Sequence, residues 1–314
     1  LDCSLERLGM AAHFCRPVLP GASRLCLRAR VDDNVAEEHA PVSAAGAAAI
    51  VGPSRPIYPG AFLHRLSVVI ITLDEADDLP RCLRSVEWAD EIVVVDSGST
   101  DGTLALCRDH PKVRLVEQAF LGYGPQKRFA VAQASHDWIL SLDADEVVTP
   151  ALAGEIQSLL AADAAPLAGA TLTRRMVFLG RAFRHGRDAR QRILRLFDRR
   201  RGEFTDDTVH EKVVVRGPTR ELAGDLLHYS YRDLADYFEK FNRYTTLMAQ
   251  KMDGRGRRAG VPGIVLRPPW AFFQYYVLRG NWLNGLPGFV YALLSAHYKT
   301  VKYVKLYELQ NTRD

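Results

Sequence analysis

From residue 66 onward, runs of apolar residues alternate with amphipathic stretches in a regular order. The β-branched runs Leu66–Thr72 and Glu91–Asp96 are typical of strands buried on both faces. Similar patterns predict strands at 112–117 and 138–142. Helices are predicted at 76–88, at 126–134, and after the second strand, where the helix ends at residue 108. This alternation predicts crossover connections and a mainly parallel sheet, whose ligands bind at the carboxyl ends of the strands.

The pattern changes in the second half of the chain. After a helix at about 150–160, strand-like segments at 170–177, 192–197 and 211–215 predict that the sheet becomes mixed. From Leu234 onward the apolar period is helical. We therefore predict an α/β fold with a Rossmann-like, mixed, mainly parallel sheet followed by a C-terminal helical region. In its last helix the apolar face is predicted to comprise Leu286, Phe289, Val290, Leu293, Leu294, Val301 and Val304.

The chain divides into three regions on this basis. Residues 1–63 show no sustained periodicity and end in a Pro- and Gly-rich stretch, so we expect a disordered extension or a wrongly assigned start. Residues 64–225 form the predicted α/β domain, and 226–314 the helical region. The longest apolar run, 286–296, is far below the ~20 residues that cross a bilayer, so we predict no transmembrane helix.

Composition narrows the possible environment only a little. The five cysteines are odd in number and show no CxxC spacing, which favours a reducing compartment and a cytoplasmic location. The net charge of +4 is too small to argue for nucleic acid. We therefore expect no nucleic-acid partner.

Acidic motifs follow two of the predicted strands. Asp143 and Asp145 come directly after the strand at 138–142, where two carboxylates can converge on Mg²⁺ or Mn²⁺. The alternative is an acidic loop that caps the next helix. Asp96 ends another apolar strand, and a carboxylate buried there needs a partner. A nucleoside base or ribose is one such partner.

Three segments in chain order carry a family resemblance: Ser67–Glu75, Ile92–Gly102 and Leu140–Asp145. They resemble the signatures of family 2 inverting glycosyltransferases with the GT-A fold. Residues 122–127, 209–213 and 228–231 are similar to those of lipopolysaccharide core β-1,4-glucosyltransferases that act on inner-core heptose. The resemblance spans about 65–308 and implies a GT-A type nucleotide-sugar-binding domain.

The resemblance also implies ligands and site residues. The cofactors would be Mg²⁺ or Mn²⁺ and a nucleotide-sugar donor, UDP-glucose. The acceptor would be a lipid-linked core oligosaccharide at the inner surface of the cytoplasmic membrane. The implied roles place Thr72, Glu75 and Asp96 in the nucleoside pocket, Lys127 near the diphosphate, Asp143 at ribose or metal, and Asp145 on the metal.

An inverting transfer needs a base that deprotonates the acceptor hydroxyl. We favour Glu211, because it lies in the family-like Val-His-Glu segment, with Asp207 as the alternative. His210 would orient that base or complete the metal site. The structural alternatives are an ordinary ion pair for Glu211 and a hydrogen-bonded structural role for His210.

Eleven arginines lie between Arg174 and Arg201. Arginine binds phosphate with two parallel hydrogen bonds, so this segment favours a phosphorylated acceptor, with Arg192 and Arg195 as the best candidates. A solvated face or an RNA-binding surface are the alternatives. Near the C-terminus, aromatic residues with Lys299, Lys302 and Lys305 suit an anionic membrane edge, or else pack on the catalytic domain.

Two other functions compete with glycosyl transfer. A sugar-phosphate nucleotidyltransferase would need a Gly- and Arg-rich loop after the first strand, but Leu73–Asp78 is acidic and would repel a triphosphate. A non-catalytic protein that binds anionic glycan or RNA is the second alternative. Metal-dependent hydrolysis of a nucleotide sugar would distinguish an enzyme from it. Asn284 stands where the family usually has an acidic residue, which bears on the acceptor.

Overall fold

The computed structural model describes residues 64–162, 167–205 and 211–312, and these residues belong to one compact unit. The extension predicted at 1–63 lies outside the described residues, as do the candidate residues Asp207 and His210. None of the helices in the described ranges has both the length and the apolarity needed to cross a bilayer.

The described chain contains eleven strands and seven α-helices. The strands are β1 (Leu66–Thr72), β2 (Glu91–Asp96), β3 (Val113–Glu117), β4 (Trp138–Asp143), β5 (Glu146–Val148), β6 (Gly169–Phe178), β7 (Arg181–Ala182), β8 (Arg190–Asp198), β9 (Gly202–Phe204), β10 (Val213–Val215) and β11 (Thr219–His228). The helices are α1 (Leu79–Ser85), α2 (Thr103–Asp109), α3 (Tyr123–Gln133), α4 (Pro150–Ala161), α5 (Leu234–Gly254), α6 (Val261–Phe273) and α7 (Gly285–Asn311).

The first four strands form the parallel half of the sheet in the order β3-β2-β1-β4. Thr72 lies beside Asp96 and Ile71 beside Asp143 in the register, so three chain segments end at one edge. Both faces are covered: Val68 and Ile70 pack with α1 and α4, and Val69 packs with α3. This double burial is why these strands are continuous apolar runs.

The second half of the sheet is mixed, as predicted. Strand β8 runs antiparallel to both β4 and β6, and β11 pairs with β6 in parallel and with β5 in antiparallel orientation. The predicted segments correspond to β6, β8 and β10, but β10 pairs with β9 in a separate two-stranded sheet, so the prediction that 211–215 belongs to the main sheet was wrong. The ten-residue β11 was not predicted, because Gly224 and alternating charges interrupt its apolar pattern. It carries His228 to the edge at which β4 ends.

The two loops that follow β1 and β2 are joined by hydrogen bonds. The backbone N–H of Thr100 donates to Asp74 Oδ1 at 2.7 Å, and the N–H of Asp74 donates to Ser99 Oγ at 2.8 Å. Asp74 has a φ of 54°, a conformation that Asp tolerates better than most residues. These bonds fix the two loops against each other at the ligand-binding edge of the sheet.

The C-terminal helices pack on the hairpin formed by β6 and β7 through an aromatic core. Its buried rings are those of Phe178, Phe183, Tyr237, Phe241, Tyr275, Tyr291 and Tyr298. In α7 the buried residues include Tyr291, Ala292, Ser295 and Ala296. The apolar face predicted for this helix was wrong in part, since Leu286, Phe289, Leu293 and Val304 are exposed. Small residues let α7 approach closely, and this contact rather than apolar content selects the buried face.

Candidate functional site

Asp143 lies at the centre of a buried network of charges at the end of β4. Lys127 Nζ lies 2.9 Å from Asp143 Oδ1, and the Arg195 guanidinium lies 2.7 Å from Oδ2. The same Lys127 ammonium lies 3.1 Å from Glu211 Oε1. One lysine therefore connects the acidic motif with the segment that carries the candidate base.

The start of α3 explains the position of Lys127. Gly122, with a φ of 100°, precedes the helix and turns the chain into it. In the first turn the Gln126 side chain is buried, where its amide donates to Ser97 Oγ and to the Gln118 carbonyl. Lys127 follows on the same turn and is only 3% exposed. A lysine buried to this extent needs anionic partners, which Asp143 and Glu211 provide.

The charges around Asp143 control its ionisation. Burial by itself would raise the pKa of the carboxyl, but Arg195 and Lys127 outweigh that effect and hold the pKa well below its usual value. Asp143 is therefore an anion at physiological pH. Because both of its oxygens contact cationic side chains, its assignment as a ribose or metal ligand remains a prediction.

Asp145 differs from Asp143 in having an oxygen without a protein partner. Its Oδ2 lies 3.2 Å from His228 Nε2, whereas its Oδ1 is buried and has no hydrogen-bond partner among the described residues. Burial raises the pKa of this carboxyl and the His228 ring lowers it, with a net lowering. Ser230 Oγ lies 3.1 Å from the other ring nitrogen of His228.

His228 was not assigned a role from the sequence, because a single histidine carries little information. The register between β5 and β11 sets Glu146 opposite His228, and this pairing brings the ring to Asp145. The Tyr229 N–H also donates to the Asp145 carbonyl at 3.0 Å. Its position within 228–231, a family-like segment, was the available signal.

Glu146 is a second residue that sequence analysis did not assign. It is fully buried and lies 3.3 Å from Arg195 and 3.4 Å from Arg174. Its other oxygen accepts the Asp143 N–H at 3.0 Å. Glu146 therefore fixes both the turn after β4 and the guanidinium that contacts Asp143.

The residues predicted for the nucleoside pocket lie at the ends of β1 and β2. Thr72 Oγ1 is buried and has no hydrogen-bond partner in the part of the chain that the structure describes. Asp96 is fully buried, and its carboxylate accepts the N–H groups of Gly98 and Ser99, each at 2.8 Å. The bonds of Asp96 therefore shape the loop after β2, and direct contact with a nucleoside stays a prediction for it.

Glu75 has the most strongly raised carboxyl pKa in the described residues that lie near this edge. Burial, followed by the negative charges of Asp145 and Asp78, raises the pKa of Glu75 to about 8. At neutral pH the carboxyl is therefore mainly protonated and can donate a hydrogen bond. A cation beside Asp145 would favour the ionised form.

The two arginines predicted to contact phosphate occupy different environments. Arg195 is buried in the network around Asp143. Arg192, three residues earlier on β8, has a side chain that is 68% exposed and pairs with Glu221 at 2.8 Å. Arg195 lies at an irregularity in the pairing of β8 with β6, where Ala170 pairs with Leu196 and Thr171 with Leu194, and only Arg195 joins the carboxylate cluster.

The protein atoms at Asp145 fit an open metal site. Among the residues that the structure describes, no group of three or more His, Cys, Asp or Glu side chains is placed to hold a metal ion. Asp145 and His228 instead offer a carboxylate oxygen and a ring nitrogen. Mg²⁺ and Mn²⁺ are commonly held by one or two carboxylates together with substrate phosphates, and the carboxylate of Asp145 is a ligand of this kind.

Comparison with known proteins shows which family this chain resembles. The model of glycosyl transferase family 2 matches residues 67–222. The lipopolysaccharide core biosynthesis glycosyltransferase LpsC of Rhizobium meliloti (strain 1021) is 34% identical over 249 residues, 77% of this chain and 92% of that protein. The chain belongs to glycosyltransferase family 2. The predicted family and enzyme class are therefore confirmed, and the two alternative functions are not favoured.

Other similar proteins also match about three quarters of this chain. An uncharacterized glycosyltransferase of Rickettsia bellii (strain RML369-C) is 29% identical over 262 residues, which are 78% of this chain and 87% of that protein. Among solved structures, the mannosyltransferase PcManGT of Pyrobaculum calidifontis, in complex with GDP-Man and Mn²⁺, is 19% identical with a TM-score of 0.40. That match covers 75% of this chain and 74% of that one.

Proposed function

We propose that this glycosyltransferase transfers glucose from UDP-glucose, with inversion, to a lipid-linked lipopolysaccharide core oligosaccharide. The main support for the donor site is a pair of buried oxygens, Asp145 Oδ1 and Thr72 Oγ1, which have no hydrogen-bond partner among the described residues. Buried polar atoms normally have partners, so two such atoms at the ligand-binding edge indicate a missing polar ligand. The similarity to LpsC, named for lipopolysaccharide core biosynthesis, supports the acceptor class.

Asp145 and His228 would hold a divalent cation, Mg²⁺ or Mn²⁺. When bound, such an ion offsets the negative charge that develops on the departing nucleoside diphosphate. Lys127 adds a second positive charge near the same place, and Arg195 keeps Asp143 ionised and oriented. Thr72 would contact the nucleoside, and Glu75, when protonated, can donate a hydrogen bond to it.

Glu211 is the proposed general base. Its contact with Lys127 brings it to the site, although 84 residues separate the two in the sequence. As an acceptor oxygen attacks the anomeric carbon, the carboxylate would take the hydroxyl proton and the bond from that carbon to the diphosphate would break. Asp207 and His210 remain sequence-based candidates for this role.

The acceptor determines the proposed location of the enzyme. A growing core oligosaccharide is attached to lipid, so the protein would act as a peripheral protein at the inner face of the cytoplasmic membrane. Arg192, exposed on β8, would be available to phosphate groups of the acceptor.

The test begins with a donor screen and one isosteric variant. Purified protein is incubated with UDP-glucose, UDP-N-acetylglucosamine or GDP-mannose and heptose-containing acceptors, and products are read by mass spectrometry. Asp145→Asn should lower transfer about 100-fold or more and weaken Mn²⁺-dependent binding of UDP in calorimetry, because it removes a charged ligand atom.

Asp137→Asn is the matched control, since Asp137 lies at the opposite end of β4 and is half exposed. It should transfer glucose as the wild type does. Undiminished Mn²⁺-dependent UDP binding in Asp145→Asn would refute the metal site. Transfer from another donor alone would refute the glucose assignment and leave the metal site intact.

A further inference from the structure

The C-terminal helical region has a large apolar surface that the rest of the described chain does not cover. Along α6, Val261, Val265, Leu266, Trp270 and Phe273 are exposed. The surface continues over the turns before α7 and onto that helix. We call it the α6–α7 face; its other exposed members are Val277, Leu278, Trp282, Leu283, Leu286, Phe289 and Leu293.

Exposure on this face is substantial for such large side chains. Trp270 is 61% exposed, Trp282 53% and Leu286 72%. Single exposed apolar residues are common, but twelve large ones between residues 261 and 293 are typical of a surface that binds an apolar partner. We therefore expect a binding partner on this face, and the charge around the face indicates the chemical class of that partner.

The sequence around the face carries charge of one sign only. Between Asp253 and Glu308 there is no Asp or Glu, whereas there are five arginines and three lysines. Arg255, Arg257 and Arg258 are exposed just before α6. The three lysines lie farther along α7 and are half-buried.

We infer that the α6–α7 face binds the surface of a bilayer that contains anionic lipid. Exposed tryptophans and leucines would insert among the headgroups and the upper acyl chains, and the arginines would contact lipid phosphates. A second copy of this chain would present the same positive charge, so pairing two such faces is electrostatically unfavourable. An anionic lipid surface complements both the apolar and the charged character.

The face is held near the catalytic edge of the sheet. Strand β6 runs in the same direction as β4, so the hairpin after it extends beyond the edge that carries Asp143. The segment with Leu278 and Trp282 is fixed to the loop between β7 and β8, because Asp188 in that loop pairs with Arg279 at 2.6 Å and accepts the Asn281 amide at 2.9 Å. Bilayer binding here would bring a lipid-linked acceptor close to the site.

This inference extends the proposed function, but its test requires no turnover. The full chain is mixed with vesicles of phosphatidylcholine, alone or with about one-third phosphatidylglycerol, and binding is measured by flotation. We expect at least about 10-fold tighter binding to the anionic vesicles, weakened by salt. Trp270→Ser/Trp282→Ser should lower that binding about 10-fold or more. Val214→Ser, which changes an equally exposed residue on β10, is the control and should bind normally.

A second measurement does not depend on a loss of binding. Brominated lipids should quench the tryptophan fluorescence of the wild type on anionic vesicles. Trp270→Phe/Trp282→Phe should bind within about 3-fold of the wild type but lose this quenching, because the ring reporters are gone. Absent vesicle binding, or equal binding by the Ser variant, would overturn the inference. So would a dimer in sedimentation that the Ser variant dissociates, since a second copy would then occupy the face.

Discussion

Replacing Arg195 with methionine tests the buried charge network directly. Met is of similar length but removes the guanidinium that contacts Asp143 at 2.7 Å and Glu146 at 3.3 Å. Glu146 is fully buried and would retain Arg174, at 3.4 Å, as a cationic partner and the Asp143 N–H as a hydrogen-bond donor. Asp143 would retain Lys127. The variant therefore leaves two carboxylates with fewer positive charges beside them, in a site from which water is largely excluded.

The expected loss of stability depends on the two cationic partners that remain, Lys127 and Arg174. Breaking a buried ion pair on one side costs about 3–5 kcal/mol, and Lys127 and Arg174 place this case near the lower end, about 3 kcal/mol. For a domain of this size that corresponds to a fall of about 6–12 °C in the melting temperature. Arg192→Met is the matched control on the same strand, and it should change stability by less than about 0.5 kcal/mol because Arg192 is exposed.

The loss of stability should depend on pH with a defined sign. In the wild type the pKa of Asp143 is lowered, so its contribution is complete above the unfolded-state pKa and is lost only as pH falls through the lower folded-state value. In Arg195→Met the pKa of Asp143 rises because the guanidinium that lowers it is gone, and acid then neutralises this less compensated charge. The stability difference between variant and wild type should therefore be smaller at pH 4 than at pH 7.5.

Urea denaturation followed by circular dichroism at both pH values measures this difference. A stability loss below about 1 kcal/mol at pH 7.5 would show that Arg195 does not hold the network together. A loss of equal size at both pH values would refute the electrostatic explanation and favour lost packing instead.

Two further variants test the base and the hairpin contact. Glu211→Gln should lower transfer about 100-fold or more while UDP binding is retained, measured by product formation and calorimetry; unchanged transfer would assign the base to Asp207. Asn284→Asp should destabilise the protein by about 1–2 kcal/mol in thermal melts, because the Asn284 amide donates to the His185 carbonyl at 2.8 Å and a carboxylate would face that carbonyl instead. An unchanged melting temperature would contradict this role for Asn284.

Local pattern was sufficient to predict the parallel half of the sheet and the place of its ligand. The strands β1, β2 and β4 are buried on both faces, so they appear in the sequence as uninterrupted apolar runs. Polar residues at the carboxyl ends of these strands then predict a ligand site, and this prediction needs no knowledge of tertiary contacts. Asp96, Asp143 and Asp145 were identified in this way, whereas Thr72 and Lys127 became candidates through the family resemblance.

The partners of these residues depended on contacts between distant parts of the chain. Arg195 reaches Asp143 across 52 residues, and His228 reaches Asp145 only because β11 pairs with β5 in one register. The buried side of α7 was likewise decided by how closely that helix approaches its neighbours. The sequence alone determined the buried strands and the carboxylates at their ends, because strand burial and strand ends are local properties. The tertiary structure decided which charges meet and which apolar face stays exposed, because both depend on packing over long separations.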